Sequence, residues 1–231
     1  MDPDRLLKAV TGLVDLVEKL RGPDGCPWDA KQTDATIKLY LLEEAYEVLD
    51  AIEKNSPPDV CQELGDLLFH ILFLARLAEE RKEFDLSEVV EKITEKMIRR
   101  HPHVFGNTTV DGAEDVAVNW ARIKQEEKKA NGDTSSLLDG VPISLPALLR
   151  AHRLGERASK AGVGTPDAHD AWERVLEKFG DLKETAGSED RDRLGQEIGA
   201  LFFSLADLAR LWGLNSEHLL RDANREFLNR I

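Results

Sequence analysis

Two acidic stretches, LYLLEEAYEVLDAIEK at residues 39–54 and PDVCQELGDLLFHILFLARLAEER at residues 58–81, decide the fold of this chain. Apolar residues recur in both stretches at the spacing of an α-helix. The connection NSPP at residues 55–58 is a short run of helix-breaking residues, and short connections favour antiparallel neighbours. The sequence therefore predicts a helical hairpin built from Leu39–Lys54 and Pro58–Arg81.

The predicted hairpin carries four carboxylates whose spacing puts each pair on one helix face. Glu44 and Glu47 lie three residues apart on the first helix, as do Glu63 and Asp66 on the second. Either pair alone is also ordinary on a solvated helix surface. Because apolar residues surround all four, we expect them to share a buried cleft, where unpaired charge is costly. A hard divalent cation, Mg²⁺ or Mn²⁺, relieves that cost and typically serves substrate phosphates.

The composition bounds the class of protein. The chain has 231 residues, 42% of them hydrophobic, and a net charge of −13 without a basic tail. This charge argues against a nucleic acid polymer or a membrane surface as partner. The N-terminus does not resemble a signal peptide, and no apolar run reaches the ~20 residues of a membrane span. Cys26 and Cys61 are too few for a disulfide framework, so we expect reduced thiols in a cytoplasmic protein.

Three further segments show helical periodicity: Leu6–Leu20, Glu88–Arg100 and Asp111–Ala130. Trp28 lies in the breaker-rich loop after the first segment, where it either fills the core or stacks on a nucleotide base. Lys96 and Arg100 share one face late in the second segment. Basic residues there either suit the C-terminal helix dipole or contact phosphates.

An internal repeat relates the two halves of the chain. Residues 62–76, QELGDLLFHILFLAR, resemble residues 196–210, QEIGALFFSLADLAR, at an offset of 134. We predict an active helical domain at residues 1–130, a linker rich in Gly, Asp, Ser and Pro at 131–146, and a degenerate second helical domain at 147–231.

The second copy keeps the apolar pattern and loses part of the charge pattern. At the offset of 134, Lys178 stands in place of Glu44 and Ala200 in place of Asp66, while Asp181 and Glu197 match the other two acids. An offset of 130 aligns the following helices best, and it pairs Lys96 with Glu226. A lysine repels a divalent ion and an alanine offers no ligand, so we expect the second copy to bind neither metal nor triphosphate.

Several motifs occur in order along the chain: CPWD at 26–29, QT at 32–33, YLLEEAYE at 40–47, RRHPHVF at 99–105, Trp120-x-x-x-Lys124, and SLLDGVP at 136–142. With Glu44-x-x-Glu47 and Glu63-x-x-Asp66, this set resembles the MazG family of nucleoside triphosphate pyrophosphohydrolases. The resemblance covers nearly the whole chain, including the tandem duplication.

The resemblance implies an all-α fold of tandem helical bundles, dimeric, with an active site completed at the dimer interface. It implies Mg²⁺-dependent hydrolysis of NTPs or dNTPs to the monophosphate and pyrophosphate, a housecleaning of the nucleotide pool. The matching metal ligands and catalytic residues are Glu44, Glu47, Glu63 and Asp66. The matching phosphate contacts are Lys96, Arg100 and Lys124, and Trp120 lines the nucleotide site. Glu43 is either solvent-exposed or supports the ligands from behind.

Two other functions compete with this one. The first is a non-catalytic helical module that binds nucleotide and regulates a partner. The second is di-iron chemistry, which uses Glu-x-x-His on bundle helices; the nearest histidine, His70, lies four residues after Asp66 and seven after Glu63, so the spacing is wrong. The segment around Leu67–Leu77 is more apolar than a lone hairpin can hide, which predicts a homodimer with the first copies paired.

Overall fold

A computed structural model describes residues 2–130, 132, 140–187 and 189–230 of the chain. These residues form α-helices and a single 3-10 turn at Asp29–Lys31, without a strand in the described ranges, so the predicted all-α fold is confirmed. The helices are α1 Pro3–Arg21, α2 Asp34–Glu53, α3 Pro57–Glu80, α4 Leu86–Arg100, α5 Pro102–Phe105, α6 Ala113–Ala130, α7 Ala147–Lys160, α8 Ala168–Thr185, α9 Arg191–Leu211 and α10 Ser216–Leu228.

The chain divides into two compact units, residues 1–125 and 126–231. The division falls inside α6, whereas the sequence placed the end of the first domain at residue 130. Half of the predicted linker, residues 131 and 133–139, lies outside the described residues, and so does most of the SLLDGVP motif. Within the described ranges, no helix combines the length and the apolar character that crossing a bilayer requires.

Helices α2 and α3 form the predicted hairpin of the first unit, with earlier starts than the sequence suggested. Helix α2 begins at Asp34 and not at Leu39, because Thr33 caps it and the Thr36 hydroxyl accepts a hydrogen bond from the Thr33 amide at 3.0 Å. Helix α3 begins at Pro57, since proline is well tolerated in the first turn of a helix. The core of this unit is made of the buried side chains Val17, Ile37, Leu72, Phe73 and Leu77.

Arg21, at the end of α1, fixes the loop that leads into α2. Its Nε and Nη2 atoms donate to the two carboxylate oxygens of Glu80 at 2.8 and 2.7 Å. Its Nη1 atom donates to the backbone carbonyl of Asp29 at 2.6 Å. A bidentate guanidinium–carboxylate pair sets both distance and orientation. The loop is thereby tied to the last turn of α3.

The second unit repeats the helix positions of the first. Helix α8 begins 134 residues after α2 (168 − 34), α9 begins 134 after α3 (191 − 57), and α10 begins 130 after α4 (216 − 86). Its core contains Ala171, Val175 and Leu208. Asp207, which corresponds to the buried Phe73 (207 − 134 = 73), is itself buried and pairs with Arg210 at 2.8 Å. The second hairpin has therefore kept the helices while replacing part of the apolar core with an ion pair.

Candidate active site

The hairpin of the first unit brings three of the four predicted acids together. Glu44 on α2 and Glu63 and Asp66 on α3 each offer a carboxylate oxygen, and these three oxygens lie within 4.8 Å of one another. Glu44 and Glu63 are half-buried, and Asp66 is exposed. Three converging carboxylates form a donor set that suits a hard divalent cation.

The negative charges of the carboxylates in this cluster repel one another. Burial, followed by the charges of Glu47 and Asp66, raises the pKa of the Glu44 carboxyl, and only His70 opposes that rise. Burial, followed by the charges of Glu47, Asp66 and Glu44, raises the pKa of the Glu63 carboxyl. Glu47 lies outside the group of three and still acts on both carboxyls. The residues present fit a divalent cation, because a positive charge would relieve repulsion that these carboxylates do not relieve among themselves.

The expectation of a buried cleft is wrong for this chain taken by itself. Glu47 and Asp66 are exposed to solvent. The reason is that the core cluster lies toward the start of α2 and the end of α3. Ile37 precedes Glu44 by seven residues and Phe73 follows Asp66 by seven, about two helical turns in each case. The acids therefore lie about two turns away from this core cluster, between it and the buried Val48 and Ala51 near the connection.

His70 contacts the acidic cluster, and the sequence reasoning missed it. The Nε2 atom of His70 lies 3.6 Å from Oε1 of Glu44. The imidazole stacks on the ring of Tyr40, with ring centroids 5.7 Å apart and an angle of 19° between the planes. Tyr40 precedes Glu44 by one turn on α2, and His70 follows Asp66 by one turn on α3. These two spacings of four residues, one on each helix, could have predicted the contact, whereas a search for a single Glu-x-x-His motif could not.

Three of the predicted substrate-binding residues form a second group. The Arg100 guanidinium lies 5.1 Å from the centre of the Trp120 ring, and the Lys124 ammonium lies 5.6 Å from the same centre. Both distances permit a cation–π contact. Lys96 lies one turn before Arg100 on α4 and is half-buried. The end of α4 and the middle of α6 therefore present an aromatic ring with two cations against it.

Trp28 and Glu43 belong to neither group, and both are exposed to solvent. Trp28 is 66% exposed, which excludes the core-filling role that the sequence left open. Its backbone carbonyl accepts a hydrogen bond of 3.2 Å from the buried Gln32 side chain, so the loop is held while the indole is presented to solvent. Glu43 is exposed on α2, next to Glu44.

The corresponding position of the second unit holds an ammonium group. Lys178, in place of Glu44, donates to Oδ2 of Asp181 at 2.8 Å and to Oε1 of Glu177 at 2.9 Å. These hydrogen bonds raise the pKa of the Lys178 ammonium, so it stays charged. Ala200 stands in place of Asp66 and offers no oxygen ligand. A fixed cation thus lies where the first hairpin has a carboxylate.

Comparison with known proteins places these features in a family. Residues 32–105 match the profile of the MazG nucleotide pyrophosphohydrolase domain. A nucleoside triphosphate pyrophosphohydrolase of Escherichia coli strain K12 is 38% identical over 227 residues, which span 97% of this chain and 86% of that protein. A nucleoside triphosphate pyrophosphohydrolase/pyrophosphatase MazG of Thermotoga maritima is 38% identical over 218 residues, which span 94% of this chain and 82% of that protein.

A crystal structure of a mazG-related protein from Thermotoga maritima is 29% identical, covers 50% of this chain and 98% of its own, and superposes with a TM-score of 0.44. The family profile spans all four predicted metal ligands, and the similarity to the full-length relatives extends through both units. The chain belongs to the MazG nucleotide pyrophosphohydrolase family, as the motifs of its sequence predict.

Proposed function

We propose that this chain hydrolyses nucleoside triphosphates to the monophosphate and pyrophosphate at the acidic cluster of its first unit, with Mg²⁺ as the cofactor. Family membership supports the reaction. The observation that supports this location of the active site is the convergence of the Glu44, Glu63 and Asp66 carboxylates, whose oxygens lie within 4.8 Å of one another. Mn²⁺ has a similar preference for oxygen ligands and is expected to substitute.

Glu44, Glu63 and Asp66, with Glu47 beside them, would hold the metal ion. When bound, the ion supplies charge neutralisation for the phosphate oxygens and an acidified water as nucleophile. Glu44 and Glu63 have carboxyl pKa values above the ordinary value of 4.5. Because the positive charge of a bound ion would lower these pKa values, they do not single out a base, and one of the four carboxylates is proposed to act as general base toward the attacking water.

Arg100 and Lys124 are proposed to contact the phosphates, together with Lys96. Cations on the leaving pyrophosphate stabilise the charge that develops there as the α–β bond breaks. Their shared contact with Trp120 supports this role, because the ring holds both cations in one place. Trp120 is proposed to line the nucleotide site, and the exposed Trp28 to stack on the base.

Glu43, exposed beside Glu44, is proposed to bind substrate at the edge of the cluster. The working form is proposed to be a homodimer of the chain in the cytoplasm, acting on free nucleotides and not on a nucleic acid polymer. Residues 1–130 are proposed as the active domain. Residues 147–231 are proposed as a degenerate copy, because Lys178 places an ammonium group at the site of a metal ligand.

The test is to incubate the full chain with ATP or dCTP in the presence of Mg²⁺ and to identify the products. Pyrophosphate and the monophosphate are the expected products. Orthophosphate and the diphosphate would contradict the proposed reaction. Tight binding without turnover would instead favour the non-catalytic regulatory module.

A further inference from the structure

We propose that His70 is a positioning residue for the metal site: its Nε2–H group holds the Glu44 carboxylate in the orientation that binds the cation. The inference rests on the proposed function, because it takes Glu44 to be a metal ligand. His70 itself is not assigned to the metal or to the substrate. It acts through Glu44.

The contact between the two side chains is sheltered from water. Nε2 of His70 lies 3.6 Å from Oε1 of Glu44, within ion-pair reach and slightly beyond a hydrogen bond. The side chains are only 13% and 20% exposed. A polar contact in such a setting is screened less than one on an open surface. Glu44 therefore has, in His70, a sheltered polar neighbour from outside the acidic cluster that can fix its carboxylate.

Aromatic contacts fix the direction of the imidazole. Tyr40 stacks against one face of the ring, and Phe69 meets it edge-on with centroids 5.5 Å apart. The Nδ1 atom is buried and has no hydrogen-bond partner among the described residues. A neutral imidazole carries its proton on the nitrogen that finds an acceptor. Nε2, which lies 3.6 Å from Oε1 of Glu44, is therefore the nitrogen placed to donate to the carboxylate.

The second unit shows that hairpin packing does not require this aromatic pair. At the offset of 134, Arg174 stands in place of Tyr40 and Ser204 in place of His70. Arg174 donates to the Thr165 hydroxyl at 3.2 Å, and the Ser204 hydroxyl donates to the carbonyl of Ala200 at 3.0 Å. Helices α8 and α9 still pair. The copy with Lys178 in place of Glu44 thus also lacks Tyr and His at these two aligned positions, which links the pair to the acid rather than to the fold.

Residues that hydrogen-bond to metal ligands set ligand orientation, and removing one typically lowers metal affinity about 10- to 100-fold. A role in packing alone predicts no change in metal affinity beyond that caused by lost stability. Metal binding measured directly separates these two roles, whereas turnover alone would not.

The experiment measures Mn²⁺ binding to the EDTA-stripped full chain by electron paramagnetic resonance of the free ion. His70→Phe keeps a ring against Tyr40 and removes the N–H donor. His70→Gln removes the ring and keeps a donor at similar reach. We expect His70→Phe to weaken Mn²⁺ binding by at least about tenfold and His70→Gln to stay within about threefold of the parent. Thermal unfolding of each variant checks that the fold persists.

A second pair of variants keeps the test decisive if the phenylalanine variant fails to fold. His70→Asn and His70→Gln are both polar and differ by one methylene, so only the glutamine reaches the Nε2 position. Weak binding in the asparagine variant and near-parental binding in the glutamine variant is the expected result.

Three results would overturn the proposal. The first is parental Mn²⁺ affinity in His70→Phe or, if that variant does not fold, in His70→Asn. The second is an equal loss in the donor-deficient and glutamine variants, which would assign the effect to packing. The third is a ¹⁴N coupling to bound Mn²⁺ that disappears in His70→Gln, which would make His70 a direct ligand. If the parent protein itself bound no Mn²⁺, the proposed metal site would fail as well, so the two failures are distinguishable.

Discussion

At the scale of single residues, the repulsion among the carboxylates of the acidic cluster destabilises the folded protein. The pKa of the Glu63 carboxyl is raised by burial and by the charges of Glu47, Asp66 and Glu44. The folded protein therefore binds this proton more tightly than the unfolded chain, and ionisation of Glu63 destabilises the fold. That destabilisation is present above the raised pKa and is lost as the pH falls through it toward the ordinary value of 4.5.

We therefore expect Glu63→Gln to raise the thermal unfolding temperature of the metal-stripped protein at neutral pH. The gain should shrink as the pH is lowered and vanish near the ordinary carboxyl pKa of 4.5, because the parental carboxyl is then protonated as well. Added Mg²⁺ should raise the unfolding temperature of the parent and not of Glu63→Gln. Thermal unfolding in EDTA across a pH series measures this, with the exposed Glu91→Gln as the control variant. A gain that is equal in both variants, or that does not depend on pH, would contradict the cluster.

Residue spacing was enough to find Glu44, Glu63 and Asp66, because helical period and a short connection together determine which faces meet. It was not enough to place Glu47 outside the group of three or to find the contact of His70 with Glu44. Both depend on how far α2 and α3 are rotated about their own axes when they pack. That rotation is set by the fit of side chains such as Ile37 and Phe73 in the core.

Trp28 gives a second prediction at this scale. Because the indole is exposed, Trp28→Ala should leave the unfolding temperature nearly unchanged. If it stacks on the base, the variant should raise KM about tenfold, since stacking of a base on an aromatic ring is worth roughly 1–3 kcal/mol. Trp28→Phe keeps a ring and should lose less. Steady-state kinetics with ATP and dCTP measures the effect, and an unchanged KM in the alanine variant would remove Trp28 from the site.

At the scale of helices, the two hairpins form a matched pair with different chemistry. The two helices of the second hairpin begin 134 residues after those of the first, and Glu63 and Glu197 occupy equivalent positions with similar, intermediate burial. Around Glu63 lie other carboxylates. In the second hairpin, Lys178 is bound to Asp181 and Ala200 replaces the remaining acid. The repeat in the sequence was sufficient to predict this contrast. The apolar period alone placed the start of α2 too late, at Leu39, because the polar first turn after the cap Thr33 lies outside that period.

This contrast supplies a prediction with its own control. Glu63→Gln should lower kcat/KM more than about 100-fold, because it removes the charge of a metal ligand at nearly constant volume. The counterpart Glu197→Gln should stay within about twofold of the parent, as is usual for substitutions away from a site. Mn²⁺ binding should follow the same order. Equal losses in the two variants would show that the second copy shares in the reaction, and a larger loss in Glu197→Gln would exchange the roles of the two copies.

At the scale of the whole molecule, both hairpins leave apolar side chains exposed at the same register. The exposed side chains in the first are Leu42, Leu64, Leu68 and Ile71, and those in the second are Leu176, Ile198, Phe202 and Leu205. Exposed apolar residues that recur on one face mark a surface for another protein. The second copy lost acids and kept this face, so the face serves something other than metal binding.

A second copy of the chain is the partner that we predict for this face. In a symmetric dimer the same patch serves both protomers, and a covered hairpin would also place Glu47 and Asp66 out of the solvent that they meet in the single chain. We expect light scattering at micromolar concentration to give twice the mass of the chain. Leu68→Glu should give the monomeric mass with unchanged helical circular dichroism and should lose turnover, because a charge at the centre of the patch opposes pairing. Leu7→Glu, at an exposed leucine of α1, should change neither the dimeric mass nor the turnover. A monomeric parent, or full turnover by a monomeric Leu68→Glu variant, would show that one chain forms the site alone and that the exposed acids work in contact with water.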